Sequence, residues 1–421
     1  MKVVAPREEK TERRGRGEAA GVRFMRADEC LDEVWKGIGP AWKDRPLYGA
    51  SRSGLTPAKE AIGKHPERYK AVEPGTVFYN PMRILLGSIA MLDEGEQAGI
   101  TSPDYVVVRG RPGVLHHRVF YYWLRSAAGE QLIRDLARGG VRERILFNRL
   151  CEGRIPVPPW PVQERLAEQL AIVPRARAAA AQRLAAAESL PAALLREVFG
   201  DPPPFDASPL PPSEPTKPGW NWHRLTSLAR LATGHTPSRR CSEYWNGDIP
   251  WIQLPDIRAL DGRVAMDTCE HTNSLGIENS AAVRLPAETV CLSRTASVGF
   301  VTIMGREMAT SQDFVNWVCG PDLDPSFLMH LFIACRKPIR DLGSGATHHT
   351  IYFPTVEQFS VCVPDVTTQR RLAAELTQRL AAAEGVIARC REELAAIDAL
   401  PAALLRRAFG GPPAPGDREG A

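Results

Sequence analysis

The feature that most constrains this 421-residue chain is that it repeats itself. The segment LPAALLREVFG at 190–200 returns as LPAALLRRAFG at 400–410, with nine of eleven positions identical. Ahead of it, Val157-Pro158, Gln163, Arg165, Leu166, Ala167 and Leu170 return as Val363-Pro364, Gln369, Arg371, Leu372, Ala373 and Leu376, a shift of 206. The same shift carries Ile133-Arg134-Asp135-Leu136 onto Ile339-Arg340-Asp341-Leu342, and Gly139, Ile145 and Phe147 onto Gly345, Ile351 and Phe353. Thr101-Ser102-Pro103-Asp104-Tyr105 corresponds to Thr310-Ser311-Gln312-Asp313-Phe314 at a shift of 209. One long internal repeat of this kind implies two copies of one structural unit rather than a solenoid.

Each copy reads as a mixed globular lobe followed by a long helix. In the lobes, Thr76–Tyr79, Tyr105–Val108, Thr289–Leu292 and Phe314–Val318 are short β-prone runs between Gly, Pro and Asp punctuation. The helices are rich in Ala, Leu, Arg and Glu. Pro161 suits the first turn of one, and a hydroxyl of Thr367-Thr368 is expected to cap the other. On the second helix Leu376, Leu380, Ala383, Ile387, Cys390, Leu394, Ile397, Pro401 and Leu404 keep a 4-3-4-3 spacing, the 3.5-residue period of a coiled coil. The first repeats the rhythm at Leu166, Leu170, Val173, Ala180, Leu184, Ala187, Pro191 and Leu194, interrupted by Arg177. Two such seams in one chain predict antiparallel pairing of the helices; the alternative is that each packs only on its own lobe. The second helix carries four extra residues, and Pro174, Pro191 and Pro401 are expected to bend or segment the helices.

Composition narrows the function classes. Hydrophobic residues are 44% and charged residues 24%, with no uninterrupted apolar run of membrane-spanning length, so a soluble globular protein is expected. The charged first twenty residues read as a solvated tail rather than a secretory signal. Nine cysteines, odd in number and without a C-x-x-C pair, suggest reduced thiols in a cytoplasmic protein. No nucleotide-cradling glycine loop, G-x-S-x-G elbow or H-E-x-x-H helix is present. Tyr79-Asn80-Pro81-Met82 resembles the Asn-Pro-Pro-aromatic loop of amino-methyltransferases, but the second proline and the aromatic are missing. His348-His349 has no further ligand at metal-binding spacing, so no metal is expected. Net charge is +4; residues 21–154 carry a surplus of five positive charges and residues 218–360 a surplus of two negative ones. A nucleic-acid interface on the second lobe therefore needs a local basic face.

Two stretches carry a family resemblance. Gly234-His235-Thr236-Pro237-Ser238, followed by Tyr244-Trp245-Asn246-Gly247-Asp248-Ile249-Pro250-Trp251-Ile252, resembles the opening of a type I restriction target-recognition domain. Ile155-Pro156-Val157-Pro158-Pro159 with Gln163 and Arg165, and Val363-Pro364 with Gln369, Arg371 and the closing Leu400–Arg406, resemble the repeated helix of the type I specificity subunits. The first lobe lacks the Gly-x-Thr-Pro opening and is similar to another subgroup through Tyr69–Val77 and Tyr79–Arg83. The resemblance implies an α+β protein: two mixed α/β target-recognition domains separated and joined by two long antiparallel coiled-coil helices. The expected divisions are a disordered tail (1–20), first recognition domain (21–154), first helical spacer (155–200), proline-rich linker (201–217), second recognition domain (218–360), second spacer (361–410) and a tail (411–421). It further implies a non-catalytic subunit that binds double-stranded DNA, two methyltransferase subunits and restriction subunits. S-adenosylmethionine, ATP and Mg would then sit on those partners. A type IIB-like subunit and a coiled-coil scaffold that binds only protein are the alternatives.

Reading base edges takes polar side chains on loops, with cations on the flanking phosphates. The candidates in the first lobe are Arg52, Lys64, His65, Asn80, Arg83, Arg142 and Arg144. In the second they are Arg239, Arg240, Tyr244, Trp245, Arg294, Thr295, Ser297, Thr347, His348, His349 and Thr350, whereas Trp251, Tyr105 and Phe314 are expected in the core. A helix of about 38 residues spans on the order of 57 Å, against roughly 34–36 Å between same-face sites on duplex DNA. The helices are thus expected to set the unread gap between two half-sites. Deleting Ala381–Glu384, roughly 6 Å of helix, should change that gap by about one or two base pairs in a map of methylated sites; an unchanged gap rules the helix out as the ruler.

Overall fold

The computed structural model describes residues 21–137, 144–343 and 349–409. Both expected tails, and Arg142, Thr347 and His348, lie outside the described residues. The chain divides into two compact units, 1–182 with 391–421 and 183–390. Each therefore holds one lobe, part of its own long helix and part of the other.

In the first unit, strands Leu31–Glu33 (β1), Thr76–Tyr79 (β2), Ile89–Leu92 (β3) and Val106–Gly110 (β4) form an antiparallel sheet in the order β1-β4-β2-β3. The helix His117–Leu124 (α1) follows β4, and the long helix Trp160–Phe199 (α2) begins beyond it. Strand Ile155–Val157 pairs with Arg23–Met25. The core joins Val77, Tyr79, Val106, Val108, Phe120 and Leu124 to Leu166, Ala167 and Leu170 of α2.

The second unit repeats this plan. Its strands are Ala229–Thr233 (β5), Trp245–Ile252 (β6), Val264–Ala265 (β7), Val290–Ser293 (β8), Val301–Met304 (β9) and Phe314–Cys319 (β10). Five of them form a sheet in the order β5-β10-β8-β9-β7. Its first four members match β1-β4-β2-β3 one for one, and β7 adds a parallel edge. Helix Pro325–Ala334 (α3) stands where α1 stands, and the long helix Val366–Phe409 (α4) follows. The four short runs expected as strands are β2, β4, β8 and β10, to within two residues at each end.

The long helices run 40 and 44 residues and pair antiparallel. In the first unit Leu166 and Leu170 share a core with Leu405, packed by Leu404 and Phe409. In the second, Leu195 and Phe199 share one with Ala373 and Leu376. Every seam position read from the sequence is buried or half-buried, and each helix also packs on its own lobe. Arg177, the break in the first seam, is exposed and pairs with Asp398 at 2.7 Å. Arg379 forks onto Glu197 at 2.8 and 2.6 Å.

Three local expectations change. Both helices run unbroken through Pro174, Pro191 and Pro401. The cap of α4 is Asp365 rather than a threonine: its carboxylate accepts from the Thr368 N–H (3.0 Å) and the Thr368 hydroxyl (2.7 Å). A carboxylate competes better than a hydroxyl for free N–H groups at a positive helix end. The proline-rich linker is held against the second lobe, with Phe205-Asp206 paired to Val361 and Ser360 and the Phe205 ring against Phe359.

A buried glutamine fixes where each long helix starts. Gln163 Nε2 donates to Pro158 O and Val114 O, and its Oε1 accepts from His116 N–H, all at 2.8 Å. Gln369 makes the same set with Pro364 O, Asp322 O and Asp324 N–H at 2.8–3.0 Å. His116 and Asp324 are the N-caps of α1 and α3. Gln369→Leu leaves three backbone groups unsatisfied in a closed interior, and should lower the unfolding free energy by about 2–4 kcal/mol in urea titration. Nearby, His330 is buried with Nε2 on Thr377 Oγ1 at 2.8 Å, and burial pushes its pKa down to about 4. The unfolded chain then binds this proton more readily, so stability is lost as pH falls from about 6.5 toward 4. Between pH 7 and 5 that loss should be about 2 kcal/mol, and His330→Leu should remove it.

Candidate nucleic-acid interface

Antiparallel register puts Thr233, Phe314 and Ser293, the adjoining ends of β5, β10 and β8, at one end of the second sheet. Three connections leave there: 234–244, 294–300 and 349–352. They are tied together. His235 N–H donates to Thr310 O, Thr236 Oγ1 bonds Gln312 Oε1, and Arg294 Nε donates to Gln312 O. Thr295 bridges Thr350, and Ala296 N–H donates to His349 O. Gly234 permits this closeness, since a Cβ there would sit 2.0 Å from Ser311 O.

Arg239, Tyr244, Trp245, Arg294, Thr295, Ser297, His349 and Thr350 are thus brought to one end of the sheet, but with different freedom. Arg240 is exposed with no side-chain partner among the described residues. Arg239 donates to both Glu270 oxygens (3.0 and 2.6 Å) and lies over the Trp245 and Trp251 rings at 4.1 and 4.9 Å. Arg294 donates to Gln312 O and Ile351 O over the Phe353 ring, and burial pushes its pKa down. Ser297 is buried and accepts from Arg258. Tyr244 and Trp245 are half-buried, and His349 is exposed. Trp251 and Phe314 are core, while Tyr105 is half-buried beside Phe78.

The run from Trp245 to Ile249 is not a regular strand. Both residues face Thr272, so Asn246, Gly247 and Asp248 bulge outward and are exposed. Asn246 has φ +61, and a Cβ on Gly247 would meet the Asn273 Cβ at 2.4 Å. Asn246, Asp248, Glu270 and Gln312 were missed in the sequence; the Asn-Gly pair inside a β-prone run was the available signal.

The first lobe uses the same end of the same sheet. Tyr79, Val106 and Ile89 adjoin in register, and the β2–β3 connection, Asn80–Ser88, occupies the place of 294–300. Asn80 Oδ1 accepts from Met82 N–H, Ser88 Oγ donates to Ala50 O, and Ile145 N–H donates to Pro81 O. Arg52, Asn80, Arg83 and Arg144 therefore gather around one loop. Arg52, Arg83 and Arg144 are exposed, beside exposed Met82 (53%) and Leu86 (72%), apolar members that no charge-based search finds. Lys64 and His65 lie on a separate connection, where His65 Nδ1 is 3.3 Å from Glu67.

These are two equivalent α/β lobes, each presenting polar and cationic loops at the corresponding end of its own sheet. Residues 218–385 match the family described as Type I restriction modification DNA specificity domain. The chain thus carries a type I restriction–modification DNA specificity domain over its second lobe and the first part of α4. It is 24% identical over 160 residues to the MjaIX specificity subunit of Methanocaldococcus jannaschii, covering 38% of this chain and 37% of that one. It is 27% identical over 134 residues to the HindI specificity subunit of Haemophilus influenzae, covering 31% and 28%. The matched part thus spans 28–37% of the length of these curated relatives. The fold is that of the HsdS subunit from Thermoanaerobacter tengcongensis (TM-score 0.53, 20% identity, 93% of this chain and 97% of that one). It is also that of a chain from a type I R-M system studied for complex assembly and conformational transition (TM-score 0.60, 18% identity, 93% and 98%).

Because only glycine fits beneath the bulge, Gly247→Ala should displace Asn246 and Asp248 by a few tenths of an ångström or more. Thermal melting should show destabilisation of about 1–3 kcal/mol, with the helix signal in circular dichroism unchanged.

Proposed function

We propose that this chain is the DNA-reading subunit of a type I restriction–modification complex and carries out no chemistry itself. Each lobe reads one half of a bipartite, asymmetric duplex site. The observation that carries this reading is the repeated placement of arginine-bearing loops, different in sequence, at one equivalent end of both sheets. Equivalent position suits the same task on the same kind of ligand, and unlike side chains suit unlike base sequences. In the first lobe Arg52, Arg83 and Arg144 with Asn80 supply donors for base edges and phosphates. In the second Arg240 and Asn246 stand free to do so, beside exposed His349, whose Nδ1 lies 3.3 Å from Gly343 O.

The partners of this reading are two methyltransferase subunits, with ATP-driven restriction subunits for cleavage. S-adenosylmethionine, ATP and Mg belong to those partners, and the assembly works on cytoplasmic DNA. A pair of grooves supports two copies of one partner. In the first unit Glu164, Arg165 and Glu168 of α2 face Glu94, His116 and Arg118. In the second, Arg371, Glu375 and Arg379 of α4 line a groove with Glu197 and Lys217. Arg165 and Arg371 hold the same place in the repeat. No described helix is long and apolar enough to cross a membrane.

Mapping methylated motifs in a host that expresses the chain with its methyltransferase tests this directly. Arg83→Ala should alter only one half of the motif and Arg240→Ala only the other. Each should cost about 1–3 kcal/mol of binding if the side chain reads a base. Failure of the purified chain, with or without methyltransferase, to bind random duplex in a salt-dependent way overturns the reading.

A further inference from the structure

We propose that Arg239, although its position invites a DNA contact, is a positioning residue. It clasps the 235–240 loop of the second lobe to β6, and Glu270 is its obligatory partner. The inference rests on the DNA-reading function proposed above and assigns the internal machinery of one reading loop.

The clasp has four walls. Trp245 Nε1–H donates to Ser238 O and Trp251 Nε1–H to His235 O, both at 3.2 Å, so two indoles from β6 hold the loop's backbone at its two ends. The rings meet edge to face at 5.0 Å. The Arg239 guanidinium lies over both, where the ring quadrupoles favour a cation. Its two terminal nitrogens are occupied by the Glu270 carboxylate, onto which Gln253 Nε2 also donates at 3.1 Å. Glu270 is itself placed by backbone pairing, since Trp251 N–H donates to Glu270 O. The hydrogen bond from Arg239 holds the Glu270 carboxyl below its ordinary range, so it stays ionised at neutral pH.

Two consequences follow from this geometry. The end-on fork of Arg239, the geometry that suits a guanine edge or a phosphate, is already filled by a carboxylate. Further, Glu270 is more than a third exposed at the reading end of the sheet, where an unpaired carboxylate repels DNA. Pairing makes the clasp neutral overall, so the loop is shaped by strong interactions without adding charge to the interface. The neighbouring Arg240, exposed and uncommitted, is the guanidinium that this shaping presents.

The test uses the full chain carrying Glu270→Gln, or Arg239→Gln with Glu270→Gln, expressed with its methyltransferase for motif mapping and purified for binding to random-sequence duplex. Both variants should degrade discrimination about 5- to 100-fold at positions of one half-site, as expected when a base contact is misplaced, and leave the other half-site intact. The slope of log K against log salt should match that of the unsubstituted chain for the double variant, because no phosphate contact is removed. A fall of about 0.9 in that slope identifies Arg239 as a phosphate ligand and overturns the clasp, as does a motif unchanged in both variants. Absence of salt-dependent binding by the unsubstituted chain overturns the DNA-reading function and the clasp together, which separates the two failures. Unaltered circular dichroism and a melting transition in each variant exclude unfolding as the cause.

Discussion

The glutamine at the start of each long helix is the joint on which the repeated architecture turns. A helix begins with free N–H groups and can in principle start a residue earlier or later. Here the start is pinned, because one fully buried amide must satisfy two carbonyls and one N–H at once. Those groups come from the approach to the long helix and from the N-terminus of the lobe's own helix. The bond set recurs at Gln369 with the same atom types. In a dry interior each unmade bond costs most of its desolvation penalty, so the alternatives are few and expensive. Helix register then dictates which residues face the neighbouring helix, and the seam follows from the joint.

The helices were the legible part. A 3.5-residue period over nine positions has few competing explanations, and all nine are buried or half-buried. The lobes were less legible, though the four β-prone runs did become strands. Nothing in sequence order announces that β4 inserts between β1 and β2, because register depends on partners 27–33 and 75–79 residues away. Shared strand order also relates the lobes where the sequences diverge: the Asn80–Ser88 and Arg294–Phe300 loops have no common motif yet connect equivalent strands. The prolines misled in a specific way. They were expected to bend or segment the helices, yet each helix continues through them despite the missing N–H.

For the interface, residue type proved a guide to position but not to role. Arg239 and Arg240 are adjacent and chemically identical, and only coordinates separate them. One is filled by Glu270 and two indoles; the other is free. Arg294 is likewise occupied by backbone carbonyls. Two of the three arginines chosen in the second lobe's loops would have been assigned differently had Glu270 and Gln312 been noticed, and neither stands near them in sequence.

The same pairing recurs through the second lobe, whose bulk balance is slightly negative. Several of its acidic side chains are spent locally. Glu270 faces Arg239, Asp267 faces His271 and Arg306, Asp261 accepts a fork from Arg336, and Glu307 meets Arg284. Asp256 is buried, accepting from Gln253 N–H and Cys269 N–H. A carboxylate paired at 3 Å presents a dipole rather than a charge, and its field falls off well within a Debye length of roughly 8–10 Å. The charge presented at the end of the sheet is therefore set by the groups left unpaired, among them Arg240 and Asp248. A count of charges along the chain weighs the paired and the unpaired alike, and does not say where the unpaired ones lie.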